Sequence, residues 1–169
     1  MKRTLWLNRT FHTIEDSGLL PDIIERLEGT PARLEEKIRS HKGPINNKPL
    51  PDKWSVKQEI GHLIDLEWLG QTRIEQLKAG LPELVAADMG NRKTQEAHHD
   101  DKSFDELLEA FRQERSKLVA SFRSLSDADL EMAPFHPRLK RPMKAVDLAY
   151  FIAEHDDHHL AQITWLLQH

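Results

Sequence analysis

Leu148-Ala149-Tyr150-Phe151-Ile152-Ala153-Glu154-His155-Asp156-Asp157-His158-His159-Leu160-Ala161-Gln162-Ile163-Thr164-Trp165-Leu166 is apolar with helical rather than strand periodicity, and its apolar stripe carries two histidines. With His155 at the origin and an advance of about 100° per residue, Leu148 and Leu166 fall near 20°, Phe151 near −40°, Gln162 near −20° and His159 near 40°. His155 and His159 therefore occupy the middle of the stripe. At i, i+4 their imidazoles stack on one face, where both ring nitrogens can reach one ion. His158 falls near −60°, at the border, and Asp156 and Asp157 point away. A buried neutral imidazole brings one donor and one acceptor that must be satisfied away from water. Either hydrogen bonds to neighbouring helices or a shared cation meets that demand.

This helix, Lys144 to Gln168, is the last of four long segments with the same period. The first runs from Leu20 to Ser40 on Leu20, Ile23, Ile24, Leu27, Leu34 and Ile38, with a kink expected at Gly29-Thr30-Pro31. The second, Ser55 to Lys78, opens with the capping-box pattern Ser55-Val56-Lys57-Gln58 and stops at Gly80. The third begins at a second such pattern, Ser103-Phe104-Asp105-Glu106, and carries Leu107, Leu108, Phe111, Leu118, Phe122 and Leu125. Met89 to Lys102 and Ser126 to Pro142 read as long polar or proline-bearing connections. The expectation is an all-α four-helix bundle with long inter-helix connections, up-down-up-down in the simplest order, whose facing helices can build a metal site. Residues 1–169 form one domain in this reading, with residues 1–19 as an N-terminal extension.

Composition narrows the chemistry. The chain has 169 residues, ten histidines, one tyrosine and no cysteine. Without thiols there is no disulfide framework, thiolate zinc site, iron–sulfur cluster or catalytic cysteine, which leaves His, Asp and Glu as metal ligands. The net charge of −4, from 24 basic and 28 acidic residues, and the lack of a basic helical stripe speak against a nucleic-acid partner. The start Met1-Lys2-Arg3 is followed by no sustained apolar run, so neither a secretory signal nor a membrane anchor is read, and a cytoplasmic protein is the default expectation.

A third ligand must come from another helix, and His62, the one histidine of the second segment, shares its side with Leu66, Leu69 and Leu77. Three imidazoles leave at least one coordination position open, as catalytic sites do. Of the remaining histidines, His98 and His99 read as part of a solvated loop with Asp100 and Asp101. His12, His41, His136 and His169 lack a partner at ligand spacing. Glu59 and Asp65, one turn either side of His62, can act as base or fix its tautomer, or can belong to a salt-bridged surface. The run Arg138-Leu139-Lys140-Arg141 reads as a solvated basic loop able to recognise a carboxylate.

Two blocks, Trp54-Ser55-Val56-Lys57-Gln58-Glu59-Ile60-Gly61-His62-Leu63-Ile64-Asp65 and Glu154-His155-Asp156-Asp157-His158-His159-Leu160-Ala161-Gln162-Ile163, resemble the DinB/YfiT-like superfamily from about Leu20 to the C-terminus. The first resembles its tryptophan-led helix with one histidine, the second its C-terminal His-x-x-x-His helix. The resemblance implies a four-helix bundle holding a divalent ion, nickel or zinc, on His62, His155 and His159, and a homodimer. It also implies a small-molecule substrate and, by way of relatives that use bacillithiol or mycothiol, a low-molecular-weight thiol in an S-transferase-like reaction. A metal-dependent hydrolase and a non-catalytic bundle with a structural ion stand as the alternatives. The usual hydrolase pattern His-Glu-x-x-His is absent, because His155 is followed by Asp156 and Asp157.

Overall fold

A computed structural model describes residues 3–45, 48 and 53–169; Met1 and Lys2 of the basic start lie outside them. The first periodic segment is two helices, α1 (Leu20–Glu28) and α2 (Thr30–Ser40), meeting at Gly29. Pro31 is the reason: it has no N–H to give the carbonyl of Leu27, so the ladder is interrupted there. The second segment is α3 (Val56–Lys78), with both halves of the Ser55/Gln58 capping box formed and Gly80 beyond its end at φ +65°. The connection that follows contains the short α4 (Arg92–Glu96) and a single turn at His99–Asp101. Next come α5 (Phe104–Arg123), capped by Ser103 and Glu106, and the one-turn α6 (Asp127–Leu130). Strands β1 (Phe135–His136) and β2 (Arg141–Pro142) form a two-residue antiparallel ladder before α7 (Ala145–Leu167). Among the described residues no helix is long and apolar enough to cross a membrane.

The core is two apolar clusters at successive levels of the bundle. One holds Leu20, Leu27, Ile74, Leu118, Phe122 and Leu148; the other holds Leu34, Ile60, Leu63, Phe111, Leu160 and Ile163. Each long element crosses from one cluster to the other, and the direction of crossing gives the topology. The α1–α2 pair and α7 start in the first cluster, whereas α3 and α5 both start in the second. The order is therefore up-down-down-up, not the alternating order expected. Parallel neighbours α3 and α5 cannot be joined by a tight turn, which is why a connection as long as residues 79–103 lies between them.

Where the helices pass from one cluster to the other, the apolar pattern is broken at one level by Thr30, His62, Glu67, Arg115, His155, Asp156 and His159. Arg115 is fully buried and satisfies all five of its N–H groups within this layer. Nε and Nη2 donate to Glu67 Oε1 at 3.0 and 2.6 Å. Nη1 and Nη2 donate to Asp156 Oδ2 and Oδ1 at 2.5 and 2.9 Å, and Nη1 also donates to the Leu27 carbonyl at 3.0 Å. That carbonyl is the one Pro31 leaves unbonded. The expectation that Asp156 points away from the functional face is corrected: it is buried, held by Arg115 and by the hydroxyl of Thr30 at 2.9 Å.

From Arg3 onward the N-terminal extension straps α7. Arg3 donates to Gln162 Oε1 at 2.6 Å and to the His158 carbonyl at 2.7 Å. Trp6 sits 5.1 Å from Phe151 and 4.9 Å from His155, centroid to centroid.

Candidate metal centre

Helix α3 supplies His62 and α7 supplies His155 and His159, and one ligand nitrogen from each lies within 4.8 Å of the other two. The structure thus brings together all three residues singled out from the sequence. The Nε2 atoms of His155 and His159 are 3.0 Å apart, and the His62 ring centroid is 5.2 Å and 4.8 Å from theirs. The other nitrogen of two rings is already engaged: His159 Nδ1 with Glu59 Oε2 at 2.5 Å, His62 Nδ1 with Thr94 Oγ1 at 3.1 Å. Each engagement fixes a ring plane and turns Nε2 inward. Trp54, 4.7 Å from His62, covers the cluster from the loop before α3.

Burial makes the imidazoles good ligands. Loss of water, reinforced by His159, lowers the His62 pKa to about 3, and burial lowers that of His159 to about 4. His155 is pushed well below its ordinary value by burial and by the other two rings. All three are neutral at pH 7 and keep a lone pair for an electrophile. Glu59 is raised by burial to about 8, with Arg3 and Lys53 pulling the other way. Three neutral nitrogens crowded together, with a carboxyl and a hydroxyl behind two of them, fit a divalent cation better than they fit one another, since an imidazole pair can share only one proton.

The centre opens into a cavity of about 250 Å³. Leu69, Leu118, Phe151 and Trp6 form apolar walls, and His158 lies beside the ligand cluster. Three histidines outside the ligand set pack inward, among them His99, read from the sequence as part of a solvated loop. His158 is a cavity wall whose Nδ1 accepts from Arg3 at 3.1 Å. His99 is buried against Gly61, where a Cβ would come within 2.1 Å of its ring, and its Nε2 pairs with Asp65 Oδ2 at 2.8 Å. His136 is buried and reaches the cavity from β1.

Both carboxylates near His62 are buried, and only Asp65 also reaches a surface cation, Lys93 at 3.8 Å. Glu59 serves His159 instead of its own neighbour, and Asp65 serves His99. Thr94, Trp6 and Arg115 were not singled out from the sequence at all. Only Arg115 carries a signal there, a cation between Phe111 and Leu118 on an apolar helical stripe.

Comparison with known proteins agrees with the architecture. YuaE of Bacillus subtilis strain 168, an uncharacterized protein, is 27% identical over 131 residues, 70% of this chain and 80% of that one. The solved structure of YfiT from Bacillus subtilis superposes with a TM-score of 0.71 at 20% identity, covering 95% of this chain and 92% of that chain. YfiT is described as a probable metal-dependent hydrolase with an unusual four-helix bundle topology. The family model for the DinB superfamily matches residues 26–163, and the chain belongs to that superfamily.

Proposed function

We propose that the chain is a divalent-metal-dependent enzyme acting on a small molecule, with His62, His155 and His159 as ligands to nickel or zinc, and that the reaction is hydrolytic. The observation that carries this reading is the convergence of three neutral histidine nitrogens at the edge of a cavity that leaves room for a substrate. A divalent ion held there supplies Lewis acidity and makes a coordinated water or thiol more acidic. The chain's own residues provide the rest. Glu59 and Thr94 hold two rings in their ligating orientation. Trp54 packs on His62 and Trp6 on His155, and both rings line the cavity. Glu67 and Asp156 are engaged by Arg115 rather than by the histidine nitrogens.

The hydrolytic reaction is supported by the description given to YfiT, a protein of the same fold. Thiol transfer uses the same ligand set with a different nucleophile, supplied by a cosubstrate because the chain has no cysteine. Elemental analysis of untagged protein purified without chelator should give about one divalent ion per chain, lost in His62→Ala and His155→Ala. Metal-free, folded wild type defeats the proposal. Turnover of an activated ester such as p-nitrophenyl acetate by the loaded protein without added thiol supports hydrolysis. Turnover of an electrophile only when a small thiol is added replaces it with the transferase reading.

A further inference from the structure

Part of the cavity wall is built of two arginines that make no ion pair among the described residues. Arg73, on α3, is buried, and two of its groups are used locally: Nε and Nη2 donate to the Val85 carbonyl at 3.1 and 2.9 Å. Its Nη1 has no partner among the described residues. Arg138, from the β1–β2 turn, lies 5.5 Å from the Trp6 ring and 5.7 Å from that of Phe151, and its one hydrogen bond among the described residues is a long one, 3.5 Å to the Trp6 carbonyl. Neither arginine has a carboxylate within ion-pair distance among the described residues, although the chain pairs Arg9, Arg26, Arg33, Arg39, Arg115 and Arg123 with carboxylates.

His136 stands with them and is 1% exposed. Its Nδ1 accepts from the Leu139 N–H at 3.2 Å, which places the ring proton on Nε2, and that atom is buried with no partner among the described residues. The ring is kept neutral, its pKa lowered to about 4 by burial and by Arg73 and Arg138. A buried guanidinium without a counter-charge beside an unpaired imidazole N–H is costly in an empty protein. An anionic oxygen group relieves all three at once, and all three residues line the same cavity as the histidine cluster.

We propose that Arg73, Arg138 and the Nε2–H of His136 form an anion-binding wall of the cavity, and that the substrate is a small molecule with an apolar body carrying a carboxylate. The apolar body follows from Leu69, Leu118 and Phe151 in the remaining wall. The carboxylate follows from Arg138, whose guanidinium, held by one long hydrogen bond among the described residues, can present two parallel N–H donors to a planar two-oxygen anion. The assignment rests on the metal-enzyme reading for the word substrate, but the anion wall itself does not require the metal.

Binding of 3-phenylpropanoate and of its uncharged amide, 3-phenylpropanamide, tests this by calorimetry on metal-loaded and on chelated wild type, with metal content measured on the same samples. The carboxylate should bind about tenfold or more tighter than the amide in both states, as expected for charge-assisted hydrogen bonds away from water. Arg138→Gln should erase that preference while amide binding persists, and Arg138→Lys should restore part of it. Added potassium chloride should weaken carboxylate binding to wild type and leave amide binding unchanged, a readout that needs no variant to fold. Equal binding of carboxylate and amide to wild type overturns the proposal. So does a preference that disappears on chelation yet survives in Arg138→Gln, because the carboxylate is then on the ion. A preserved preference in wild type that binds no metal keeps the anion wall and removes the metal-enzyme reading instead.

Discussion

Two buried polar clusters lie at the same level of the bundle and face the same cavity, yet they are built on opposite rules. In the Arg115 cluster every donor has an acceptor, the carboxylates are paired, and even the carbonyl orphaned by Pro31 is used. In the histidine cluster three lone-pair nitrogens point at one another and the supporting bonds come only from behind. The first is complete without any ligand. The second is incomplete, and an incomplete buried cluster is the kind that a protein keeps for binding something.

The largest effect should come from breaking the complete cluster. Arg115→Met leaves Glu67 and Asp156 buried without their cation and should cost about 3–5 kcal/mol of folding stability, measured by urea unfolding. The loss should be the same with or without divalent metal present. A variant as stable as wild type would mean that water enters this layer freely and that the two clusters do not differ in kind.

Next in size is the response to metal. Loaded wild type should be more stable than chelated protein by up to about 4 kcal/mol when free metal stands a thousandfold above its dissociation constant. His155→Ala should abolish that increment and the bound ion, while the chelated variant unfolds close to chelated wild type. If His155→Ala destabilises the chelated protein as much as Arg115→Met does, the histidines are packing groups and the two clusters are alike.

These same two clusters mark how far the sequence could be read. The helix-forming patterns are local, so the capping boxes at Ser55 and Ser103 and the break at Pro31 are visible in one dimension. So is the i, i+4 pair of histidines, and a lone histidine on an apolar face of α3 is enough to complete the set. The Arg115 cluster is not legible in that way, because its partners lie 48 and 41 residues away on helices whose relative direction the pattern leaves open. The parallel course of α3 and α5 depends on how residues 79–103 cross the bundle, and periodicity within a helix says nothing about it. Likewise His99, Thr94 and Arg138 lie on connections, where polarity suggests solvent and only tertiary packing reveals that His99 presses on Gly61 or that Arg138 turns inward.

A smaller change should separate the groups that bind from those that orient. Glu59→Gln retains the shape of the side chain but removes the carboxylate behind His159, and metal affinity should fall about 10- to 100-fold, some 1.4–2.7 kcal/mol, without loss of stoichiometry at saturating metal. Competition titration against a chromophoric chelator reads this directly. An unchanged affinity would reduce Glu59 to a space-filling neighbour. Loss of the site altogether would make it a ligand in its own right.

The smallest effect is expected where the Arg115 pattern is repeated in water. Arg123 on α5 donates to Glu28 Oε2 at 2.7 Å and to Glu25 Oε1 at 3.0 Å, one arginine shared by two carboxylates just as Arg115 is. About half of its side chain is exposed, however, so each charge keeps much of its hydration and the attraction is screened by solvent and salt. Arg123→Met should leave the urea midpoint unchanged within the error of the measurement. The contrast with Arg115→Met then isolates burial as the cause, since residue type, partner type and distances are held nearly constant between the two sites. A large loss at Arg123 would show instead that the ion pairs themselves fasten α1 to α5, and the buried layer would lose its special standing.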